Sequence, residues 1–190
     1  MIRTFIALEI PEEIKEEIIS LRDKNYTRKE NEKWEQKDKL HLTLKFLGDT
    51  DEKIINKIAS GISNFVADQK QIELLFTGFG IFKRDGQPKV FWAGFEENQN
   101  LVNLALGINE VCSGLGFQKE VRKLKPHLTL LRIRGHENLD QLYNLTKLNV
   151  EKKKYISDTI TFYKSILKPS GSEYSVIKKF YLKKEQTNVG

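Results

Sequence analysis

One four-residue word occurs twice in this chain: His41-Leu42-Thr43-Leu44 returns letter for letter as His127-Leu128-Thr129-Leu130. The chain has 3 histidines, and two of them open these words. An exact repeat of this kind marks an internal duplication, so the fold must place the same short element twice. The alternation of leucine with polar residues makes each copy a strand. Leu42 and Leu44 then point into a core, while His41 and Thr43 stand together on the opposite face, roughly 6–7 Å apart. Two such strands facing each other would bring two imidazoles and two hydroxyls to one cleft.

The rest of the chain supplies the frame. Ile2, Thr4, Ile6, Leu8 and Ile10 alternate with Arg3, Phe5, Ala7 and Glu9, which predicts a strand. Pro11 followed by Glu12 and Glu13 opens a helix carrying Ile14, Ile18 and Leu21, and a polar loop extends to about Lys33. Gly48-Asp49-Thr50 is expected to end the first motif strand and cap a helix with Ile55, Ile58, Ile62 and Phe65 on its buried stripe. Strands follow near 71–79 and 88–95. A third helix runs over about 99–115, with Cys112 on its apolar stripe as a small core residue. After the second motif, Asn138 and Gln141 form a capping box before Leu139, Leu142 and Leu145, and strands follow near 154–167 and 173–182 across a Pro169–Ser172 turn. A motif strand, a helix and two strands thus occur at 41–95 and again at 127–182. This predicts one α+β domain over 1–183, with mostly antiparallel sheets, outer helices and a frayed tail at 184–190.

Composition narrows the function classes. With 190 residues, 39% hydrophobic and 31% charged, the chain has enough apolar material for a packed core. A single cysteine excludes a disulfide framework and any cysteine-built metal centre, and it suits a reducing compartment. No apolar run is long enough to span a bilayer, and Glu9 interrupts any leader, so a cytoplasmic protein with no membrane partner is expected. The net charge of +6 is compatible with a nucleic-acid partner.

The paired His-x-Thr words suit phosphodiester chemistry. One imidazole can take a proton from a nucleophile while the other gives one to the leaving oxygen, since histidine does both near neutral pH. The threonine hydroxyls can donate to phosphate oxygens as charge builds in the transition state. Two histidines alone give too few ligands for zinc, so no metal or cofactor is expected. His136 lacks the pattern and reads as a surface residue. Phe5 shares a strand face with Arg3 and could stack on a base. Lys45 has the parity of His41 and Thr43 and could approach the phosphate. Arg132 is out of phase with His127, and only a bulge or strand end would turn it inward. Lys119, Arg122, Lys123 and Lys125 lead into the second motif and could track an RNA backbone.

With these residues the chain resembles the two-histidine (2H) phosphoesterases, and within them the prokaryotic RNA 2′,3′-cyclic phosphodiesterases, also called 2′-5′ RNA ligases. The resemblance includes Arg3 through Leu8, His41 through Gly48, Val90 through Gly94, Lys125 through Leu130, Tyr163 through Leu167 and Gly171 through Tyr174. It implies two pseudo-symmetric lobes flanking a central groove. It further implies His41 as proton donor, His127 as proton acceptor, Thr43 and Thr129 as phosphate-binding residues, and Arg132 after the second motif. The implied reaction opens a 2′,3′-cyclic phosphate on an RNA or nucleotide end to a 2′-phosphate, by a monomer. Hydrolysis or ligation of 2′-5′ linkages, or non-catalytic binding of RNA ends, would use the same groove.

Overall fold

The alternating N-terminal segment forms β1 (Ile2–Glu9), and Pro11 leads into α1 (Glu12–Asn25). The first motif lies in β2 (His41–Thr50), followed by α2 (Ile55–Val66) and the hairpin β3 (Ile72–Arg84) and β4 (Gln87–Phe95). This hairpin turns on Asp85 and Gly86, both with positive φ (53° and 74°), the backbone that an Asp-Gly pair accommodates. Then come α3 (Gln99–Ser113), β5 (His127–Arg132) with the second motif, α4 (Leu139–Leu145), β6 (Lys154–Ser157), β7 (Thr159–Lys168) and β8 (Gly171–Tyr181). The structure is a computed structural model that describes residues 1–168 and 171–184. Pro169 and Ser170 of the expected turn, and all of the expected tail but Lys184, lie outside the described residues.

The strands form two four-stranded antiparallel sheets, ordered β2-β1-β7-β8 and β5-β4-β3-β6. The α+β class with outer helices follows the sequence reading. Helices α2 and α3 pack on each other and on the first sheet, while α4 packs on α1 and on β3 of the second. Each motif strand is the edge strand of its sheet, and β2 and β5 approach one another. Between the sheets and helices lies the core, where Phe76, Phe91, Phe162, Ile6, Leu8, Ile58 and Ile62 are fully buried. At about 1.5–3 kcal/mol per buried large side chain, this packing holds the two sheets at a fixed separation. Cys112 is buried in α3, and burial pushes its thiol up to about 11, as suits a core residue.

Three details depart from the sequence reading. The first motif strand continues through Gly48 to Thr50, and the cap belongs to Asp51, whose carboxylate accepts from Lys53 N at 3.0 Å at the start of a short 3-10 turn, Glu52–Ile54, that leads into α2. The expected single strand 154–167 breaks at Asp158, so β6 joins the second sheet and β7 the first. Most consequentially, the two sequence units are not the two spatial halves. The hairpin β3–β4 that follows the first motif builds the sheet of the second, and β7–β8 after the second motif builds the sheet of the first.

Candidate active site

A groove of about 520 Å³ contains both motifs, with His41, Thr43, His127 and Thr129 on its lining. The two imidazoles are held by the same device. His127 Nδ1 lies 2.7 Å from the carbonyl of Lys125, two residues upstream, and His41 bonds the carbonyl of Lys39, also two residues upstream. A carbonyl only accepts, so Nδ1 of His127 carries the hydrogen and Nε2 is the nitrogen left for chemistry. Aromatic rings fix the planes. Phe5 stacks on His41 with centroids 4.8 Å apart, and Tyr174 meets it edge-on at 5.2 Å. Phe82 meets His127 edge-on at 4.8 Å. Trp92 lies flat over Gly80 and Gly94, where a Cβ would come within 2.2 and 2.5 Å of its ring, and it supports Lys125 at 4.9 Å.

Matching irregularities in both motif strands decide which neighbours reach the groove. In β5 the register against β4 slips between Thr129 and Leu131, and in β2 the register against β1 slips between Thr43 and Lys45. One extra residue, Leu130 or Leu44, reverses the alternation beyond each motif. Arg132 is thereby turned to the groove, the bulge that strict alternation required. Lys45 stays on the groove lining, but the slip turns it off the face of His41 and Thr43 that its parity predicted. It is only 6% exposed, and its ammonium donates to Asn109 Oδ1 at 2.7 Å and Gln118 O at 2.6 Å, so its contacts are those of a brace. Phe46 takes the place that Arg132 has in the other half. It is 65% exposed on the groove rim, a lining residue that the sequence reading missed, because strict alternation would put it on the face opposite His41. Phe5, at 2% exposure, is covered by His41, Phe46, Tyr163 and Tyr174 and supports the imidazole instead of meeting a base. Of the basic cluster, Arg122, Lys123 and Lys125 line the groove, whereas Lys119 pairs with Glu110. His136 is half-buried rather than on the surface, and it lies outside the groove.

The comparisons with known proteins place this geometry. The family model for LigT-like phosphoesterases matches residues 8–92. An RNA 2′,3′-cyclic phosphodiesterase of Methanocaldococcus jannaschii is 35% identical over 184 residues, covering 94% of this chain and 99% of that protein. Its counterpart in Thermotoga maritima is 32% identical over 179 residues, covering 92% of each chain. The chain belongs to the LigT-like phosphoesterases. Escherichia coli LigT, crystallised with 3′-AMP, superposes with a TM-score of 0.75 at 25% identity, over 95% of this chain and 98% of that one. A Thermus thermophilus protein shares the fold with a TM-score of 0.79 at 24% identity, over 97% and 100% of the two chains.

Electrostatics distinguish the two halves of this phosphoesterase. Burial lowers the pKa of His41 to about 4, outweighing the Lys39 carbonyl and the nearby Glu9 carboxylate, which favour the charged ring; Lys15 adds a small opposing push. Burial also lowers His127, and there the neighbouring charges are Lys125 and Arg132, which disfavour a proton, against the Lys125 carbonyl that favours one. The first half therefore offers its imidazole an anion and the second offers cations. Glu35, whose carboxyl is raised by burial against the pull of Arg132 and Lys39, stands on the same lining. Arg122 is paired with Glu120 at 3.1 Å and Lys123 with Glu97 at 2.9 Å. Among the described residues no group of three or more His, Cys, Asp or Glu side chains gathers as metal ligands would. None of the helices described is long and apolar enough to cross a membrane. A second hollow, of about 590 Å³, lies behind α1. Glu13, Glu17 and Glu151 line it, and their charges would repel a phosphate.

Proposed function

We propose that this phosphoesterase hydrolyses a 2′,3′-cyclic phosphate at the end of an RNA or nucleotide, with His127 as base and His41 as acid. The observation that carries the reading is the pair of imidazoles on one groove, each tied to the carbonyl two residues upstream. His127 Nε2 takes a proton from water as the water oxygen bonds to phosphorus. The bond from phosphorus to the 3′ oxygen breaks, and His41 gives that oxygen a proton. The products are a 2′-phosphate and a 3′-hydroxyl, and the two histidines have exchanged protonation states. Thr43, Thr129 and Arg132 donate to the non-bridging oxygens, whose charge grows in the transition state. The order of roles follows the family resemblance. The Glu9 carboxylate favours a proton on His41, and Lys125 and Arg132 disfavour one on His127, while burial outweighs Glu9 and holds His41 at about 4. Relatives named RNA 2′,3′-cyclic phosphodiesterases support the substrate class.

The test is incubation with a 2′,3′-cyclic nucleotide in EDTA, followed by phosphorus NMR. Turnover to the 2′-phosphate alone is expected, because an acid and a base on opposite walls fix one line of attack. His41→Ala and His127→Ala should each cost ~10²–10⁴ in rate, the usual worth of a positioned acid or base. Absence of turnover would leave a protein that only holds RNA ends. A pure 3′-phosphate would reverse the roles of the two histidines.

A further inference from the structure

Between α3 and β5 the chain from Gln118 to Pro126 contains neither helix nor strand, yet it forms the groove wall beside His127. Arg122, Lys123, Leu124 and Lys125 line the groove from this segment, and its Lys125 carbonyl receives the His127 hydrogen bond. Its far end is tied down where Phe95 N donates to Pro126 O at 3.1 Å. Its near end is held by two side chains. Lys45 donates to Gln118 O at 2.6 Å and to Asn109 Oδ1 at 2.7 Å. Asn109 in turn accepts from Glu120 N at 2.9 Å and donates to Glu120 O at 3.1 Å, as a paired strand residue would. Lys45 and Asn109 are 6% and 4% exposed. Lys45 belongs to the strand that bears His41, two residues beyond Thr43, and it reaches this wall because the Leu44 bulge turns it away from the motif face.

We propose that Lys45 is a positioning residue that ties the basic substrate-binding wall of the His127 half to the motif strand of the His41 half. An irregular segment without a ladder needs outside partners for its backbone, and charge-assisted bonds from a buried ammonium are the strongest available here. The bond network fixes where Arg122, Lys123 and Lys125 stand relative to His41, so a phosphate arriving between the walls meets both at once. This role rests on the phosphodiesterase reading as far as its kinetics go. Its structural part does not.

Two variants and two readouts test it. Lys45→Met keeps the length of the stem and removes the ammonium. Asn109→Ala breaks the other half of the clamp at a position absent from the groove lining. Both should raise KM for a 2′,3′-cyclic dinucleotide about tenfold while kcat stays within about threefold, since binding is weakened with the acid and base in place. Both should also speed amide hydrogen exchange in 118–125, with Glu120 N–H foremost, and leave exchange in β2 and α3 as in the wild type. The exchange measurement needs no turnover, so it stands even if the wild-type protein opens no cyclic phosphate. Lys45→Met lowering kcat with exchange unchanged and Asn109→Ala harmless would make Lys45 a direct phosphate ligand and overturn the proposal. Unaltered exchange and KM in both variants would overturn it as well, and so would accelerated exchange spread over the whole protein.

Discussion

At the scale of single residues, burial and charge act on the two histidines in different proportions, and the pH profile should show it. With a pKa of about 4, His41 carries a proton in about one molecule in a thousand at pH 7. The productive state needs one imidazole protonated and the other neutral, and its population peaks between the two pKa values. Both are lowered from 6.5, so kcat/KM should peak below about pH 6.5 and fall as pH rises past it. A maximum on the alkaline side of neutrality would contradict this assignment. Phe46 allows a second test. Its exposed ring on the rim is the group suited to stack on a base, so Phe46→Ala should raise KM for a cyclic nucleotide several-fold. The same variant should treat a base-free ribose 2′,3′-cyclic phosphate as the wild type does. An equal effect on both substrates would make Phe46 a structural residue. The four motif residues were legible because an exact repeat needs no structure to be seen. The neighbours were harder: Lys45 was assigned by strict alternation and Phe46 was not singled out, and one inserted leucine exchanged their faces.

Elements shape the site by how closely they pack, and glycine sets that distance at two places. Trp92 can lie on the second sheet only because Gly80 and Gly94 present no side chain beneath it. Gly80→Ala would put a Cβ 2.2 Å from the indole, and the ring must lift away from the sheet. Lys125 rests on that ring and His127 lies beside it, so the lift displaces the second motif. A loss of about ten- to a hundredfold in kcat/KM is expected, the scale of a displacement near 1 Å. Gly107→Ala is the matched control. Its Cβ would lie 1.9 Å from Phe65 and press on the α2–α3 contact, with neither residue on the groove lining. Overpacking of this kind costs about 1–3 kcal/mol, more than the gain in helix propensity of up to about 1 kcal/mol. Thermal denaturation should therefore show a lower Tm for both variants, with kcat/KM reduced only for Gly80→Ala. Equal activity in the two would show that Trp92 does not position His127. Helices were readable from periodicity, α3 among them. The strand expected near 71–79 runs on to Arg84, however, so the β3–β4 connection is the tight Asp85-Gly86 turn and not a longer loop. The bulges at Leu44 and Leu130 were not readable, because an extra residue in an apolar strand leaves no mark in composition.

Over the whole molecule, the exchange of hairpins between halves determines how the groove can exist at all. β1 and β2 lack a complete sheet until β7 and β8 arrive from the far end of the chain, and β5 is an edge without β4 and β3 from the first half. Local pattern could not reveal this, since the apolar alternation in β7 would fit a neighbour in either sheet. The duplication was visible as two sequence units, but those units are interleaved in space. The expected consequence is a single cooperative unit, because α2 and α3 cover a sheet whose last two strands are synthesised last, and β2 and β5 belong to sheets that each need strands from both parts of the chain. Separated fragments 1–97 and 98–190 should each lack a finished sheet and expose apolar strand faces, so neither should give a dispersed NMR spectrum alone. The intact chain should unfold in urea in one transition, coincident by tryptophan fluorescence and far-UV circular dichroism, with Trp34 and Trp92 both reporting from the second sheet. If fragment 1–97 folded by itself, or the two probes gave separate midpoints, the sequence repeat would also be a folding unit and the interleaving would not govern stability. If both fragments are unfolded apart yet recover cyclic phosphodiesterase activity when refolded together, the groove is a property of the paired halves, with each histidine held on a sheet that the other half completes.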